Sequence, residues 1–542
     1  MAGELPDLRG TVADVPASPV FSQPDWASFS ATFLVSFAVY FWTLAPDVTL
    51  ENSGGLAAAA NYGGVAYNPG FPVWTIYSWL FTKLLPFGTV AWRIGVSSAL
   101  AASVAAGLVA LMVSRGSRII LAQNDKFTRR TPKQQNWICA VAGWSAGMGL
   151  ALSAPVWRKA VIVDIWSLDE LAAAGLLCLL MRWALQNQSS PHPPASQIES
   201  SEISNQLDSP LQPRQGRNVC SPGWSESASE TLGQPLNQTQ PAPPSRGRGQ
   251  GEGAVSQNSH RCLYLAFLVY GLSLTEFWEW LLVGPAILFW VALFNPKLGR
   301  DLCLAGFLLG FCALSYLQSK AYAMDIWPLR FELEMLLLVG IVLIVTTGKV
   351  ASEWRASIAS LLILGAACLV SLYIAVASMT TPPVNWGYPR TVEGFLHTIS
   401  RGQYDQIHPT AEIDRYFYQA GAIFLRTGQQ LGWISLVFAA GSLLLLIRGH
   451  PAGRRFQFGL LAFFLCAGPL MIATLNPSWD KQDLDLHDPY WIPLFVILSV
   501  LSGLGIAASI CRIGRVRRRA TKTVPYGPEK TVRFFPATLL EQ

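Results

Sequence analysis

The stretch Thr43–Thr75, TLAPDVTLENSGGLAAAANYGGVAYNPGFPVWT, decides how the rest of the chain is read. It follows an apolar run and crowds polar, Gly and Pro residues together where a membrane span would end. Its centre, Glu51-Asn52-Ser53-Gly54-Gly55, has the make-up of an active-site loop, yet the central residue is an amide where a carboxylate would serve as base.

The surrounding composition identifies the solvent as lipid. Of the 542 residues, 51% are apolar and only 13% charged, with 20 Trp and 27 Phe; soluble domains carry about 25% charged residues. Apolar stretches near the bilayer requirement of about 20 residues recur along the chain, about twelve of them between residues 26 and 510. The net charge of +6 is therefore read loop by loop and not as a nucleic-acid footprint. With the N-terminus inside, Arg115, Arg118, Lys126, Arg129, Arg130 and Lys133 fall in one inner loop, and Lys349, Arg355, Arg454 and Arg455 in later ones. The tail adds Arg512, Arg515, Arg517, Arg518 and Arg519. By the positive-inside rule both termini are cytoplasmic. Residues Met1–Asp25 lack a basic region followed by an apolar core, so the first span is expected to stay in the mature protein.

Residues 188–260 break the pattern. They are dominated by Ser, Pro, Gln and Gly and lack the apolar surface to offset ordering entropy, which predicts a disordered cytoplasmic insert. The chain then divides into a cytoplasmic tail (1–25), a membrane domain in two parts (26–187 and 261–510), the insert, and a basic tail (511–542). Eight of nine Cys lie in or beside apolar runs, with no CxxC pair, which points to free thiols. There is no P-loop, GxGxxG or HExxH and no convincing repeat; no cofactor is expected, and the residues leave a metal requirement open.

Polar chemistry gathers in the loops read as outer. The first, Pro46–Ala91, carries Asp47, Glu51, Asn52 and Asn61, then the rigid run Asn68 to Pro72 and an amphipathic piece from Val73 to Leu85. Its Trp74 and Trp79 suit the headgroup layer. The second, APVWRKAVIVDIWSLDEL, places Asp164 just inside the fourth span. A carboxylate there is costly in lipid, so it reads as functional, or as the partner of Arg158 or Lys159 at a helix end. The third, Thr380–Gln419, is also long, with Arg390, Arg401, Arg415, Glu393 and His397. Arginine suits bidentate phosphate contact and His397 offers a proton; the plainer reading is a loop held by Arg–Glu pairs. In NPSWDKQDLDLHDPYWIP the acid spacing suggests a calcium loop, but its Gly and terminal Glu are missing.

The ENSGG block, GVAYNPGFP, and VNWGYPRTVEGFLHTISRGQY together resemble a bacterial family of multi-pass membrane proteins of unassigned function. That family is similar to the plexin-type protein O-mannosyltransferases of the GT-C glycosyltransferase class. The resemblance covers Trp26 to about Ile510 and implies an all-α, GT-C-like membrane fold, about 12 transmembrane helices and a long first outer loop carrying short helices. It also implies a bacterial inner membrane with the active-site face periplasmic, a polyprenyl-phosphate sugar (mannose-like) as donor, and a protein or glycan acceptor. Membrane lipid is a partner, and nucleic acid is not. In such chemistry a carboxylate takes the acceptor hydroxyl proton, while cations steady the departing lipid phosphate.

Carried over by residue, the pattern keeps its scaffold and loses its proton carriers. Where relatives show Asp-Ser-Gly-Glu, this chain has Asn52-Ser53-Gly54-Gly55; where they show His-Pro-Pro-Gly-Tyr-Pro, it has Tyr67-Asn68-Pro69-Gly70-Phe71-Pro72. An Asn-His pair is replaced by Glu276-Phe277, and Glu-Val-Tyr by Asp164-Ile165-Trp166. Asn385, Trp386, Gly387 and Arg390 are kept. The expected scaffold is thus Ser53, Gly54, Gly55, Pro69, Gly70, Pro72, Asn385, Trp386 and Gly387. The donor-phosphate group is Arg390, Arg401 and His397. Asn52 occupies the family's active-site position without basicity; it is expected to cap a helix beginning near Leu56. Asp164 or Glu51 is then the candidate base, with Glu276 a further one. Three readings stay open: an active glycosyltransferase, a non-catalytic relative that binds lipid-linked sugar or a partner, and a transporter or flippase, disfavoured by the absence of repeats and midplane charges.

Overall fold

The computed structural model describes residues 19–50, 52–189, 260–319, 327–348, 351–400, 402, 408–444, 451–478, 485 and 487–521. Most of the expected insert, Glu51, Arg401 and the tail beyond Thr521 lie outside the described residues. Those described are mostly helical, with one isolated β-bridge, Val65 to Asn385.

Helix α1 (Gln23–Trp42) starts where its sequence says it should. Pro24 sits in the first turn, where no intrahelical N–H is needed. Asp25 turns back to accept from the Ser22 amide and hydroxyl at 2.8 and 2.7 Å. The next polar segment holds two short helices, α2 (Ser53–Tyr62) and α3 (Pro72–Leu84), before the 32-residue α4 (Val90–Leu121). Thr131 then caps α5 (Pro132–Ala151), trading hydrogen bonds with Gln134 in a capping box.

Helices α4 and α5 pack closely because glycine faces backbone. A Cβ on Gly143 would stand 2.4 Å from the Ala110 carbonyl oxygen, and one on Gly147 2.6 Å from that of Ala106. Small residues supply such close approaches where lipid offers no hydrophobic drive between helices.

After α5 the chain bends by 68° into α6 (Ala154–Ala160); Pro155 there cannot donate a backbone hydrogen bond, so the first helix is not continued. Residues 161–165 are irregular and α7 (Trp166–Ser189) follows. This corrects the expected fourth span: Asp164 precedes the helix instead of lying inside it. The irregular link is pinned by the Ala45 amide, which donates to the Val161 carbonyl at 2.9 Å.

The second part of the bundle comprises α8 (Arg261–Leu274), a 3₁₀ stretch Trp278–Val283 leading into α9 (Gly284–Phe294), α10 (Pro296–Ser319), α11 (Trp327–Thr347) and α12 (Trp354–Met379). Two further helices lie where the sequence reads as loop and a span edge: α13 (Val392–Ile399) and α14 (Ile413–Leu431). The last three are α15 (Trp433–Leu443), α16 (Gly453–Leu475) and α17 (Ile492–Thr521). Five helices among the described residues are long and apolar enough to cross a membrane, six if the bent pair α5–α6 counts as one, and four shorter apolar helices accompany them. Their outward faces carry residues such as Leu308, Phe311, Leu362, Leu369 and Val376 exposed, as expected of an integral membrane protein.

No disulfide joins the eight described cysteines, five of which are buried while Cys312 is exposed. At the bundle end opposite the candidate site, Arg300 is fully buried and pairs with Asp301 at 2.8 Å, while the Thr347 and Ser352 hydroxyls accept from its Nη1 and Nη2. Hydrogen bonds of this kind are what let a buried charge pair persist.

Gly143→Leu is expected to force α4 and α5 apart, costing about 1–3 kcal/mol by overpacking. The check is the thermal midpoint of the purified protein in detergent, which should fall, whereas Gly149→Leu, whose Cβ meets open space, should leave it unchanged.

Candidate functional site

The site grows from a problem at the start of α3. Pro72 at its first position has no N–H, and the preceding Phe71 lies in the left-handed region (φ 42, ψ 60) with no side-chain cap to offer. The next amides, on Val73 and Trp74, are orphan donors. Glu276 meets them from the short link between α8 and the 3₁₀ stretch: its two carboxylate oxygens accept from Val73 at 2.8 Å and Trp74 at 3.1 Å. A negative group at a helix N-terminus is also favoured by the dipole. Burial pushes the Glu276 carboxyl up to about 8, against the pull of the two amide hydrogen bonds and with a smaller push from Asp169. With both oxygens engaged, Glu276 is a helix cap and not the spare base suggested by its place in the sequence.

Trp74 carries the connection onward. Its indole N–H donates to the Asp164 backbone carbonyl at 2.9 Å, and the Ser98 hydroxyl donates to the same oxygen at 3.3 Å. The Asp164 carboxylate is held at both oxygens: Lys159 stands 2.9 Å from Oδ2, and the Trp166 amide donates to Oδ1 at 3.1 Å. Of its two expected roles, the ion pair with a neighbouring base is therefore present, and Lys159, not Arg158, makes it.

The two sequence blocks that carry the resemblance meet in space. The Val65 amide donates to the Val384 carbonyl at 2.9 Å and the Trp386 amide to the Val65 carbonyl at 3.1 Å. Gly64 permits the approach, since a Cβ there would lie 2.4 Å from the Val384 oxygen, and Gly387 turns the chain at φ +71. Asn385 donates from its side-chain amide to the Ser378 carbonyl at 3.3 Å. Pro69 and Gly70 complete the turn into Pro72 and α3. Asn68 is buried with neither side-chain amide atom hydrogen-bonded, a costly state for a polar group.

Other expected residues sit apart. Ser53 closes a small ring with Thr49, donating to its carbonyl at 2.6 Å and accepting from its amide at 2.8 Å. Helix α2 begins at Ser53, three residues before the expected start, and Asn52 at the N-cap makes no side-chain capping bond. The backbone dihedrals of Asn52 (φ −88, ψ 9) depart from the extended conformation in which a cap side chain reaches forward. Gly54 and Gly55 face open space. Arg390 is exposed, its guanidinium 5.9 Å from the Tyr388 ring centroid, and His397 is exposed on α13. Among the described residues no Arg–Glu pair holds this loop. Glu51 and Arg401 lie outside the described residues.

A chain of aromatic contacts links these parts. Tyr67 meets Phe71 (5.1 Å), Phe71 meets Phe277 (5.6 Å), Phe277 stacks on Trp166 (4.7 Å), and Trp166 meets Tyr490 edge-on (4.9 Å). Below them a narrow cleft is lined by Trp166, Asp169, Phe277, Glu279, Trp280 and Tyr490, with apolar residues of α16 and α17 behind. Of the acids that suggested a calcium loop, Asp485 and Asp488 are in use: Arg426 of α14 binds both, and Gln430 donates to Asp488 at 2.8 Å, while Asp480 and Asp483 lie outside the described residues. Arg426 escaped the sequence reading because α14 was not recognised as a helix; its strong segregation of polar and apolar residues was the available signal.

These features define a helical integral membrane protein with a polar and aromatic site at one end of its bundle. Residues 52–199 match the family model for the Protein O-mannosyl-transferase TMEM260 N-terminal domain, and the chain is similar to protein O-mannosyl-transferases. The mouse Protein O-mannosyl-transferase TMEM260 is 29% identical over 176 residues, covering 31% of this chain and 22% of the mouse protein. The Dictyostelium discoideum Protein O-mannosyl-transferase tmem260 is 32% identical over 83 residues, 15% of this chain and 10% of that protein. The similarity thus spans less than a quarter of either relative. No solved structure matches.

The raised carboxyl of Glu276 fixes a sign. Between its ordinary value of 4.5 and about 8 the folded protein holds the proton more tightly, so this group's stabilisation is complete below 4.5 and lost as pH rises through 8. Glu276→Gln, neutral throughout, should therefore gain in thermal midpoint relative to wild type between pH 5 and pH 8.5; a constant difference would contradict the assignment.

Proposed function

We propose that this protein handles a polyprenyl-phosphate-linked, mannose-like sugar at the outer face of its membrane and transfers the hexose to a protein or glycan acceptor. The observation that carries the reading is the backbone pairing of Val65 with Val384–Trp386, which unites the two sequence blocks of the resemblance. In this reading the Asp164 carboxylate, or Glu51, takes the acceptor hydroxyl proton as that oxygen attacks the anomeric carbon. The bond from that carbon to the phosphate oxygen breaks, and Arg390, Arg401 and His397 stabilise the phosphate left on the carrier.

The proposed topology is GT-C-like, with twelve traverses and both termini cytoplasmic. Its support is that α1, α4, α5, α7, α8, the 3₁₀–α9 unit, α10, α11, α12, α15, α16 and α17 alternate in direction if each crosses. The site contacts then fall at one end, and the contacts of Asp25 with Ser114 (2.5 Å), Arg118 with Asn136 (2.8 Å) and Asn187 with Phe294 (3.1 Å) at the other.

A second reading, a relative that binds lipid-linked sugar or a partner without catalysis, is favoured by one specific observation. Both oxygens of Asp164 are already bonded, and Asn52 stands at the position of the usual acid.

Asp164→Asn separates the two. Under the first reading it lowers hexose transfer by about 10²–10⁴-fold with thermal midpoint and carrier binding kept; transfer at the wild-type rate removes Asp164 as base. For the donor site, native mass spectrometry of gently purified protein should find a bound polyprenyl-phosphate lipid that is depleted in Arg390→Ala. Equal occupancy in the variant would dismiss the Arg390 contact.

A further inference from the structure

Helix α14 is turned inside out for a helix in water. Its enclosed side is polar. Gln419, 1% exposed, donates to the Asn476 side chain and to the Pro477 carbonyl at 2.9 Å each, and the Thr410 hydroxyl donates to it at 2.9 Å. Further along the same helix, Arg426 binds Asp485 and Asp488, and Gln430 donates to Asp488. The outward side is apolar. Ile413, Phe417, Phe424 and Leu425 are 55–69% exposed, at intervals that place them on one stripe of a helix. Gly421 between them faces open space. No residue from Tyr416 to Leu425 is charged; Asp414, Arg415 and Gln429 stand exposed at the two ends.

A helix packed on a protein in water turns its apolar face inward, and soluble surfaces rarely leave a contiguous apolar patch of this kind bare. Three features say what covers this one. First, the Phe424 ring meets Trp433 edge-on at 5.6 Å, and Trp433 opens the apolar helix α15. The surface continues along α15 through Ile434 and Val437, both exposed, so the stripe runs into a face turned to lipid. Second, the Tyr416 hydroxyl donates to the Pro469 carbonyl at 3.3 Å. Pro469 lies six residues before the end of the membrane-crossing helix α16, about 9 Å along its axis, so Tyr416 reaches to the depth of that span's last turns. Third, Tyr418 and Trp433 are exposed, and both residue types favour the boundary between headgroups and acyl chains.

We propose that α14 is an in-plane helix whose face from Ile413 to Leu425 is embedded in the acyl boundary of the leaflet at the site end. Helices that lie in this layer ordinarily turn their polar side to water; here the protein itself takes that side. Through Arg426 and Gln430 the helix ties the turn Asp488–Trp491, and with it the contact of Tyr490 with Trp166, to the level of that leaflet. The proposal is independent of sugar transfer, since it concerns only which surface meets lipid.

The test footprints full-length protein in phosphatidylcholine–phosphatidylglycerol nanodiscs with two reagents, read residue by residue by mass spectrometry. Hydroxyl radicals mark side chains in water. A diazirine that partitions among the acyl chains marks, on illumination, the side chains that touch them. Phe417, Phe424 and Leu425 are expected to take the carbene label to the same degree as Leu362 and Val376, which are exposed on α12. They should be oxidised at least about tenfold less than in the same peptide free in water, as residues buried about 5–10 Å into the boundary should be. Oxidation at the level of the free peptide overturns the proposal, because the face is then in water. Protection from both reagents overturns it as well, because protein then covers the face, and the native mass tells a second copy from another partner.

Discussion

One carboxylate organises the site end of this protein. Glu276 sits between two apolar helices, buried, and its oxygens take the two amides that open α3. Remove it and α3 has no cap, because Pro72 lacks an N–H and Phe71 has an apolar side chain in a conformation that points away from capping. Everything nearby depends on where α3 begins. Trp74 in its first turn locates the Asp164 carbonyl, Asp164 locates Trp166, and Trp166 stacks on Phe277, the residue after Glu276. The circuit closes on itself, so the start of α3 and the 275–280 link are set by the same few bonds.

The circuit also separates two kinds of charge. Acids gather on its inner side, at Asp169, Glu276 and Glu279, all nearly enclosed. The cations stand at the margins: Lys159 beside Asp164, Arg426 among Asp485 and Asp488, and Arg390 exposed over Tyr388. That division follows from where the helix ends fall, since each acid lies within a turn of a break in its helix.

Much of this was legible in the residues. The lipid solvent and the two short helices between α1 and α4 could be read from hydropathy and from Pro72 ahead of an amphipathic run. What stayed hidden depended on distance in the chain. Nothing local in Glu276 tells that it caps a helix two hundred residues earlier, and Lys159 looked no better than Arg158 as a partner for Asp164. The start of α2 was misjudged because Gly54 and Gly55 read as a loop; they fit a helical first turn because they face open space. Helix α14 was missed because its apolar residues are spread along one side of a mostly polar run, which lowers its average hydropathy below that of a span.

The Val65–Asn385 pairing has a consequence for biogenesis. It joins main chain to main chain across 320 residues, an interval that a ribosome working at roughly 5–20 residues per second needs about 16–64 s to cover. Until then the segment after α2 has emerged, but the strand it will pair with has not been made. The early half of the site must wait in the insertion machinery or at the membrane surface with the Val65 amide and carbonyl satisfied by water. Assembly of the site is thereby coupled to synthesis of the last third of the chain, and a ribosome stalled before residue 384 leaves a helical bundle without a finished site.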